Sequence, residues 1–230
     1  MAPNNVSREI NQLTVEQQRQ FSVALAVLES DEYAPTAIRA ADEAADAHVA
    51  DSLVALELDV FANAQRIADL GSGAGFPGLA LAVALPDAEV NLIESQRRKC
   101  EFLERVCAAA AVENARVVCS RAEEWSDGLS RNDIVVARAL APQTVVLEYA
   151  APLLRIGGAV VDWRGRRDPD GEAEAERAAT ALGLCRQEIR RVIPFDGATD
   201  RHLHVFAKVE QTPPRFPRRA GIARKRPLGR

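Results

Sequence analysis

No stretch of about 18 consecutive apolar residues occurs in this 230-residue chain, which therefore offers no candidate transmembrane helix. Its first residues, Met1-Ala2-Pro3-Asn4-Asn5, lack the basic-then-apolar layout of a secretion signal, and a cytoplasmic protein is expected. The four cysteines (Cys100, Cys107, Cys119 and Cys185) form no C-x-x-C pair and no disulfide-like framework. Cys100 and Cys107 stand seven apart, on one face of a helix, and read as small buried apolar residues. A zinc centre needs further ligands close by, so no metal is expected. Internal repeats are absent, and so is low complexity outside the C-terminal tail.

What is present is the composition of an ordinary globular protein, 47% apolar and 27% charged, long enough for one sizeable core. The net charge of −4 argues weakly against nucleic acid until its distribution is read. From Thr212 onward there are seven basic residues and no acid: Arg215, Arg218, Arg219, Arg224, Lys225, Arg226 and Arg230. Subtracting these seven from the 29 basic residues leaves 22 against 33 acidic ones, a body of −11. An acidic body with a basic arm is an electrostatic footprint for phosphates. A solvated, solubilising tail is the alternative.

Residues 7–28 carry Ile10, Leu13, Phe21, Leu25 and Leu28 at helical spacing, and a second helical stretch is expected from about Thr36 to Asp59. From Arg66 short apolar runs alternate with helical patterns. Strands are expected at 66–70, 89–94, 116–120, 132–137, 158–163, 187–193 and 202–209. Helices are expected near 77–85, 96–111, 121–126, 142–154 and 172–183. This alternation implies a mostly parallel, seven-stranded, Rossmann-like α/β sheet with helices on both faces. The polar link from Pro194 to Asp200 implies an antiparallel pair at the sheet edge, an ending typical of methyltransferases rather than dinucleotide dehydrogenases. The chain divides into an N-terminal helical extension (1–62), a cofactor-binding domain (63–210) and a basic tail (211–230).

The strongest signal is Asp69-Leu70-Gly71-Ser72-Gly73-Ala74-Gly75-Phe76-Pro77-Gly78, between a strand and a helix. Residues 73, 75 and 78 match the dinucleotide fingerprint G-x-G-x-x-G, a weak motif alone. Residues 69, 71, 73 and 75 match acid-x-G-x-G-x-G, the loop that cradles the amino-acid end of S-adenosylmethionine. Asp69 is placed to organise the loop and to meet the cofactor's ammonium, and Pro77 suits a first helical turn. Such a start leaves fewer amides for a pyrophosphate, which this cofactor lacks. A class I methyltransferase fold is expected.

Glu94, ending the second strand, is placed to accept ribose hydroxyls, with helix capping beside Ser95 as the alternative. After the third strand, Ser120-Arg121-Ala122-Glu123-Glu124 sets polar groups where an adenine amino group would lie; Ser120 and Glu123 also fit a capping box. The fourth strand ends in Val136-Ala137-Arg138-Ala139-Leu140-Ala141-Pro142. It lacks the Asn- or Asp-Pro-Pro-aromatic sequence of enzymes that methylate exocyclic amines, and no cysteine nucleophile stands nearby for pyrimidine C5. An acceptor with a free lone pair remains, of which guanine N7 is one. Direct displacement then asks only for alignment and exclusion of water. No catalytic residue is expected beyond Arg138, a positioning candidate at the cofactor, with pairing to Asp133 or Glu123 as the structural alternative.

Several further segments carry a resemblance: His48-Val49-Ala50-Asp51-Ser52-Leu53, Arg98-Lys99-Cys100-Glu101-Phe102-Leu103, Arg121-Ala122-Glu123-Glu124 and Ala137-Arg138-Ala139. Later come Leu153-Leu154-Arg155-Ile156-Gly157-Gly158, Asp200-Arg201-His202-Leu203 and Thr212-Pro213-Pro214-Arg215-Phe216-Pro217-Arg218-Arg219-Ala220-Gly221. With the glycine loop, these resemble the bacterial small-subunit (16S) rRNA guanine-N7 methyltransferases, also called the glucose-inhibited division protein B family. The resemblance runs from about residue 36 through nearly the whole chain. It implies cofactor contacts at Gly71, Phe76, Glu94, Ala122, Glu123 and Arg138, alongside Asp69, Gly73 and Gly75 of the loop. It implies a guanine of small-subunit ribosomal RNA, naked or in the assembled subunit, as substrate. Candidates for RNA contact or for closing the site are His48 with Asp51 and the tail residues Arg215, Arg218, Arg219, Arg224, Lys225 and Arg226, with Arg164 and Arg201 as further candidates for RNA contact. For His48 a packing role is the alternative. A monomer without membrane contact is expected. The chain departs from the family at Glu29-Ser30-Asp31 and Ala34-Pro35-Thr36, where Trp-Asn and Asn-Leu-Thr are usual. It also has Arg164-Gly165 in place of Lys-Gly, and the two cations are not interchangeable at a close contact. Open alternatives are a class I enzyme acting on another RNA base or a small molecule, and a non-catalytic cofactor-binding RNA-binding protein.

Overall fold

The computed structural model describes residues 13–38 and 40–229, so Ile10, the start of the first expected helix and Arg230 lie outside the described residues. Seven strands form one sheet: β1 (Arg66–Leu70), β2 (Glu89–Glu94), β3 (Ala115–Cys119), β4 (Asn132–Arg138), β5 (Leu154–Arg164), β6 (Leu184–Arg191) and β7 (His202–Lys208). Their order is β3-β2-β1-β4-β5-β7-β6. The first five run parallel, and β7 inserts antiparallel between β5 and β6. The expected antiparallel edge pair is thus present. Because β1 has β2 on one side and β4 on the other, the winding reverses there, and a crevice opens beyond their carboxyl ends.

Helices cover both faces. On one lie α1 (Val15–Ser30), a composite helical run over 41–57 (α2), α3 (Gly78–Ala84) and α4 (Arg97–Ala110). Thr14 and Gln17 start α1 with a reciprocal capping box. In α4, Cys100, Leu103, Val106, Cys107 and Ala110 turn one apolar stripe inward, at the spacing the sequence shows. Phe21, Leu28, Leu53 and Phe61 of the N-terminal segment lie in the same core as Ile67 and Leu92 of the sheet. Burying each such side chain stabilises by roughly 1.5–3 kcal/mol, so this segment packs as a layer of the sheet's core. On the opposite face lie α5 (Gln143–Ala150) and α6 (Pro169–Ala181), together with Phe216 and Ala223 of the C-terminal segment. No helix among the described residues is long and apolar enough to cross a membrane.

Several boundaries differ from the sequence reading. The second helix starts at Ala41 and passes through a π-helical turn at Ala45–Ala50, so His48 sits on a widened turn. β5 begins at Leu154 because α5 stops at Ala150 and a single 3-10 turn, Ala151–Leu153, hands over to the strand. Asp168 caps α6 by accepting from the Gly171 N–H at 3.2 Å, and Pro169 fills its first position, so this helix starts at 169, earlier than the expected 172. In place of a helix over 121–126 stand two 3-10 turns, Ala122–Glu124 and Ser126–Gly128.

Candidate functional site

The glycine loop leaves β1 at the point of reversal. The N–H groups of Gly71 and Ser72 both donate to the Ile93 carbonyl of β2, at 2.8 and 3.1 Å, which draws the loop across the strand ends. Gly71 has φ +69°, and a Cβ there would lie 2.5 Å from Leu140 Cδ1, so only glycine fits the loop against the β4 terminus. Asp69 is buried beneath the loop. Its Oδ2 accepts the Gly78 N–H at 3.1 Å, while its carbonyl accepts from Ser72 Oγ at 3.0 Å. Burial pushes the Asp69 carboxyl up to about 7, against the pull of these hydrogen bonds and of Arg138. Asp69 therefore clasps the loop to the first turn of α3, and Pro77 stands just before that turn.

Beyond the strand ends lies a cleft of about 380 Å³, bounded by Gly71, Glu94, Ala122, Glu123, Leu140 and Arg224 among others. Glu94 is buried at its side, accepting the Gln96 N–H at 2.9 Å through Oε1 and the Gly73 N–H at 3.3 Å through Oε2. It both caps the start of α4 and ties the glycine loop to β2. The Ser120–Glu123 capping box is not formed. Ser120 Oγ donates to the Arg121 carbonyl at 3.2 Å, and Glu123 Oε1 instead accepts the Gly221 N–H at 3.0 Å, from the C-terminal segment. S-adenosylmethionine fits the cleft on an observation of shape and chemistry: the loop presents bare backbone to it at Gly71, and a carboxylate, Glu94, stands at the end of β2.

Arg138 projects from the end of β4 onto the other face. Its NH1 donates to Asp51 Oδ2 at 2.8 Å and to the Ala47 carbonyl at 3.1 Å, and its NH2 lies 3.3 Å from His48 Nδ1. Pairing with Asp133 or Glu123 is thereby ruled out, since Asp133 is engaged by Arg155 and by the backbone of Gln65 and Arg66. His48 stacks on Phe76 of the glycine loop, with centroids 5.1 Å apart and planes 13° from parallel, and its Nε2 is 3.1 Å from Thr36 Oγ1. Burial, then the Arg138 charge, holds the His48 imidazole below its ordinary value. Arg201 approaches Asp51 Oδ1 at 3.4 Å, and the Trp163 indole N–H donates to the Asp51 carbonyl at 2.7 Å. Phe76, His48, Asp51, Arg138 and Arg201 thus form one connected rim on the glycine loop, and none of them lines the cleft, so the expected cofactor contacts Phe76 and Arg138 stand outside it.

The remaining candidates scatter. Arg164 turns back onto the buried Asp162 at 2.7 Å and the Ala141 carbonyl at 2.9 Å. Arg218 forms a two-point ion pair with the buried Glu148, and that carboxylate raises the Arg218 pKa. Arg215, Arg219, Lys225 and Arg226 are exposed. Arg224 lines the cleft itself, as does Tyr149 of α5, whose phenol is raised by burial and by Glu123. Sequence reasoning missed Tyr149, which carries no motif and reads as an interior helix residue. Among the described residues no group of three metal-ligating side chains stands together.

Comparison with known proteins completes the picture. A family model described as "rRNA small subunit methyltransferase G" matches residues 16–203. A relative of that description from Syntrophomonas wolfei is 41% identical over 71% of this chain and 77% of its own. A further one, from Chloroflexus aggregans, is 38% identical over 88% and 85%. Among solved structures, a predicted O-methyltransferase from Agrobacterium tumefaciens superposes with a TM-score of 0.54 at 27% identity, covering 72% of this chain and 81% of that one. The S-adenosylmethionine-dependent methyltransferase SibL superposes with a TM-score of 0.58 at 15% identity, covering 90% and 74%, a likeness of fold alone.

Proposed function

This chain belongs to the rRNA small subunit methyltransferase G family, and on that premise we propose that it transfers the methyl group of S-adenosylmethionine to N7 of a guanine in small-subunit ribosomal RNA. The observation that carries the reading is the cleft at the reversal of the sheet, with Gly71 on its floor and Glu94 at its side. Within it, the glycine loop cradles the amino-acid end of the cofactor, Glu94 holds the ribose hydroxyls, and Ala122 with Glu123 borders the adenine. Asp69 holds the loop in shape, and Arg138 braces the loop through His48 and Phe76.

The choice of N7 rests on what borders the acceptor side. Ala139-Leu140-Ala141-Pro142 follows β4 and supplies no amide or carboxylate to receive a proton from an exocyclic amine. Neither Cys100 nor Cys119 lines the cleft, and burial pushes the Cys100 thiol up, so no cysteine is placed as a nucleophile for a ring carbon. The cofactor supplies an activated methyl on a sulfonium. With the cofactor bound, its C–S bond would break as the guanine N7 lone pair takes the methyl, and the positive charge would pass from sulfur to the base. No proton leaves, so the protein's work is alignment and exclusion of water. The exposed arginines of the C-terminal segment, with Arg201, face the RNA phosphates.

The test is methyl transfer from labelled cofactor to small ribosomal subunits lacking this modification, with the product nucleoside identified by mass spectrometry. Appearance of 7-methylguanosine is expected. Another methylated nucleoside would overturn the regiochemistry, and transfer to a small molecule alone would overturn the RNA substrate.

A further inference from the structure

Given that the cleft holds S-adenosylmethionine, we propose that the C-terminal segment is a wall of the cofactor site and that Arg224 is a cofactor-binding residue. The inference rests on the cofactor reading above and adds a part of the chain to it. From Thr212 the chain folds back over α5, and three contacts hold it there. Phe216 and Ala223 are buried in the same apolar cluster as Val145 and Tyr149. Arg218 grips Glu148, whose side chain is only 1% exposed, through both carboxylate oxygens. The Gly221 N–H donates to Glu123 at 3.0 Å.

These anchors put Arg224 at the mouth of the cleft. Its NH2 donates to the Leu140 carbonyl at 3.2 Å, beside the side chain that shapes the floor at Gly71, and it faces the Tyr149 hydroxyl. Glu94 and Glu123 border the same cleft, so a cation here is electrostatically complementary. A planar guanidinium can stack on an aromatic ring and donate to its nitrogens, which suits the nucleoside end of the cofactor. A floating basic arm would need none of these anchors. Its phosphate contacts require only reach and charge, whereas a buried ion pair fixes one geometry. The segment is exposed at Arg215, Arg219, Arg224, Lys225 and Arg226, but of these cations only Arg224 is among the residues that line the cleft, while the Gly221 N–H is tied to Glu123.

The experiment is calorimetric titration of S-adenosylhomocysteine into the full chain without RNA, repeated with Arg224→Ala, Arg224→Lys and Tyr149→Phe, each checked by thermal melting. Arg224→Ala is expected to weaken binding about tenfold at an unaltered melting temperature, with Arg224→Lys between. In turnover, KM for the cofactor should rise while kcat at saturating cofactor is kept. Should Arg224→Ala melt early, Tyr149→Phe carries the test through a smaller weakening, about threefold, from loss of one hydroxyl. Unchanged cofactor affinity in the stable variants, with weaker RNA binding, would overturn the proposal and leave the segment an RNA arm. Failure of the unaltered chain to bind would overturn the cofactor reading, and the proposal with it.

Discussion

Outside the lining of the cleft, Arg138, Asp51 and His48 direct their polar groups at one another; at the cleft, the C-terminal segment ties down Arg218 and Gly221 and leaves Arg215, Arg219, Arg224, Lys225 and Arg226 exposed. The first rim is an interior network. Asp51 is 7% exposed and Arg138 18%, and the bonds run from a sheet residue to a helix that packs on the core. The second rim is a strap held at separate points along α5 and the Ala122–Glu124 turn. On the reading proposed above, the contrast is a division of labour: the N-terminal side braces the loop through the His48–Phe76 stack, and the C-terminal side would join cofactor to RNA. In the first rim Asp51 has a second cation, Arg201, within ion-pair distance, whereas in the strap Glu148 is buried against Arg218, so losing Arg218 costs more.

The largest effect is expected at the glycine loop, which borders the cleft and carries the first rim through Phe76. Gly71→Asp drives a Cβ into Leu140 and strains a left-handed backbone, so cofactor binding should fall at least ~100-fold, read by calorimetry, whichever rim is intact. Next comes the strap. Arg218→Ala leaves the Glu148 charge buried without its partner and should cost about 3 kcal/mol in urea unfolding, with faster amide exchange confined to the C-terminal segment. Then the network. Arg138→Ala leaves Asp51 with Arg201 as its remaining cation and should cost about 2 kcal/mol, and here the loss should reach turnover as well as stability. If Arg138→Ala proves as local in its exchange pattern as Arg218→Ala, the contrast between the rims fails.

The smallest effect is a pH dependence peculiar to the first rim. The His48 pKa is lowered in the folded chain, so as pH falls through the ordinary histidine value, about 6.5, the unfolded chain takes up a proton first. The stability from neutral His48 is therefore full above that value and is lost as pH falls below it. The stability advantage of the unaltered chain over His48→Gln should shrink between pH 7.5 and 5.5. The same comparison made with Arg218→Ala should show no such trend.

The parts legible in the sequence are those whose signal is local. The strand-loop-helix at Asp69–Gly78, the acid ending β2 and the alternation of strands and helices all depend on residues within a few positions of one another. They led to the α/β methyltransferase fold and the family, both of which the structure and the comparisons bear out. The rims are made by partners far apart in sequence: Arg138 and Asp51 are separated by 87 residues, Glu148 and Arg218 by 70, Glu123 and Gly221 by 98. No spacing rule announces such pairs. Arg138 and Glu123 were given neighbours too near in sequence, and the basic tail gave no sign of its buried Phe216 and Ala223.

On the reading proposed above, one cleft at the reversal of the sheet, walled by the C-terminal segment, holds the cofactor. Amide hydrogen exchange with and without S-adenosylhomocysteine tests it most directly. Slowing is expected at residues 71–75, 94–96 and 120–124, and again at 219–226 of the C-terminal segment, while the β6 edge stays unchanged. Slowing that spares 71–75, or that falls only along the β6–β7 edge, would contradict it.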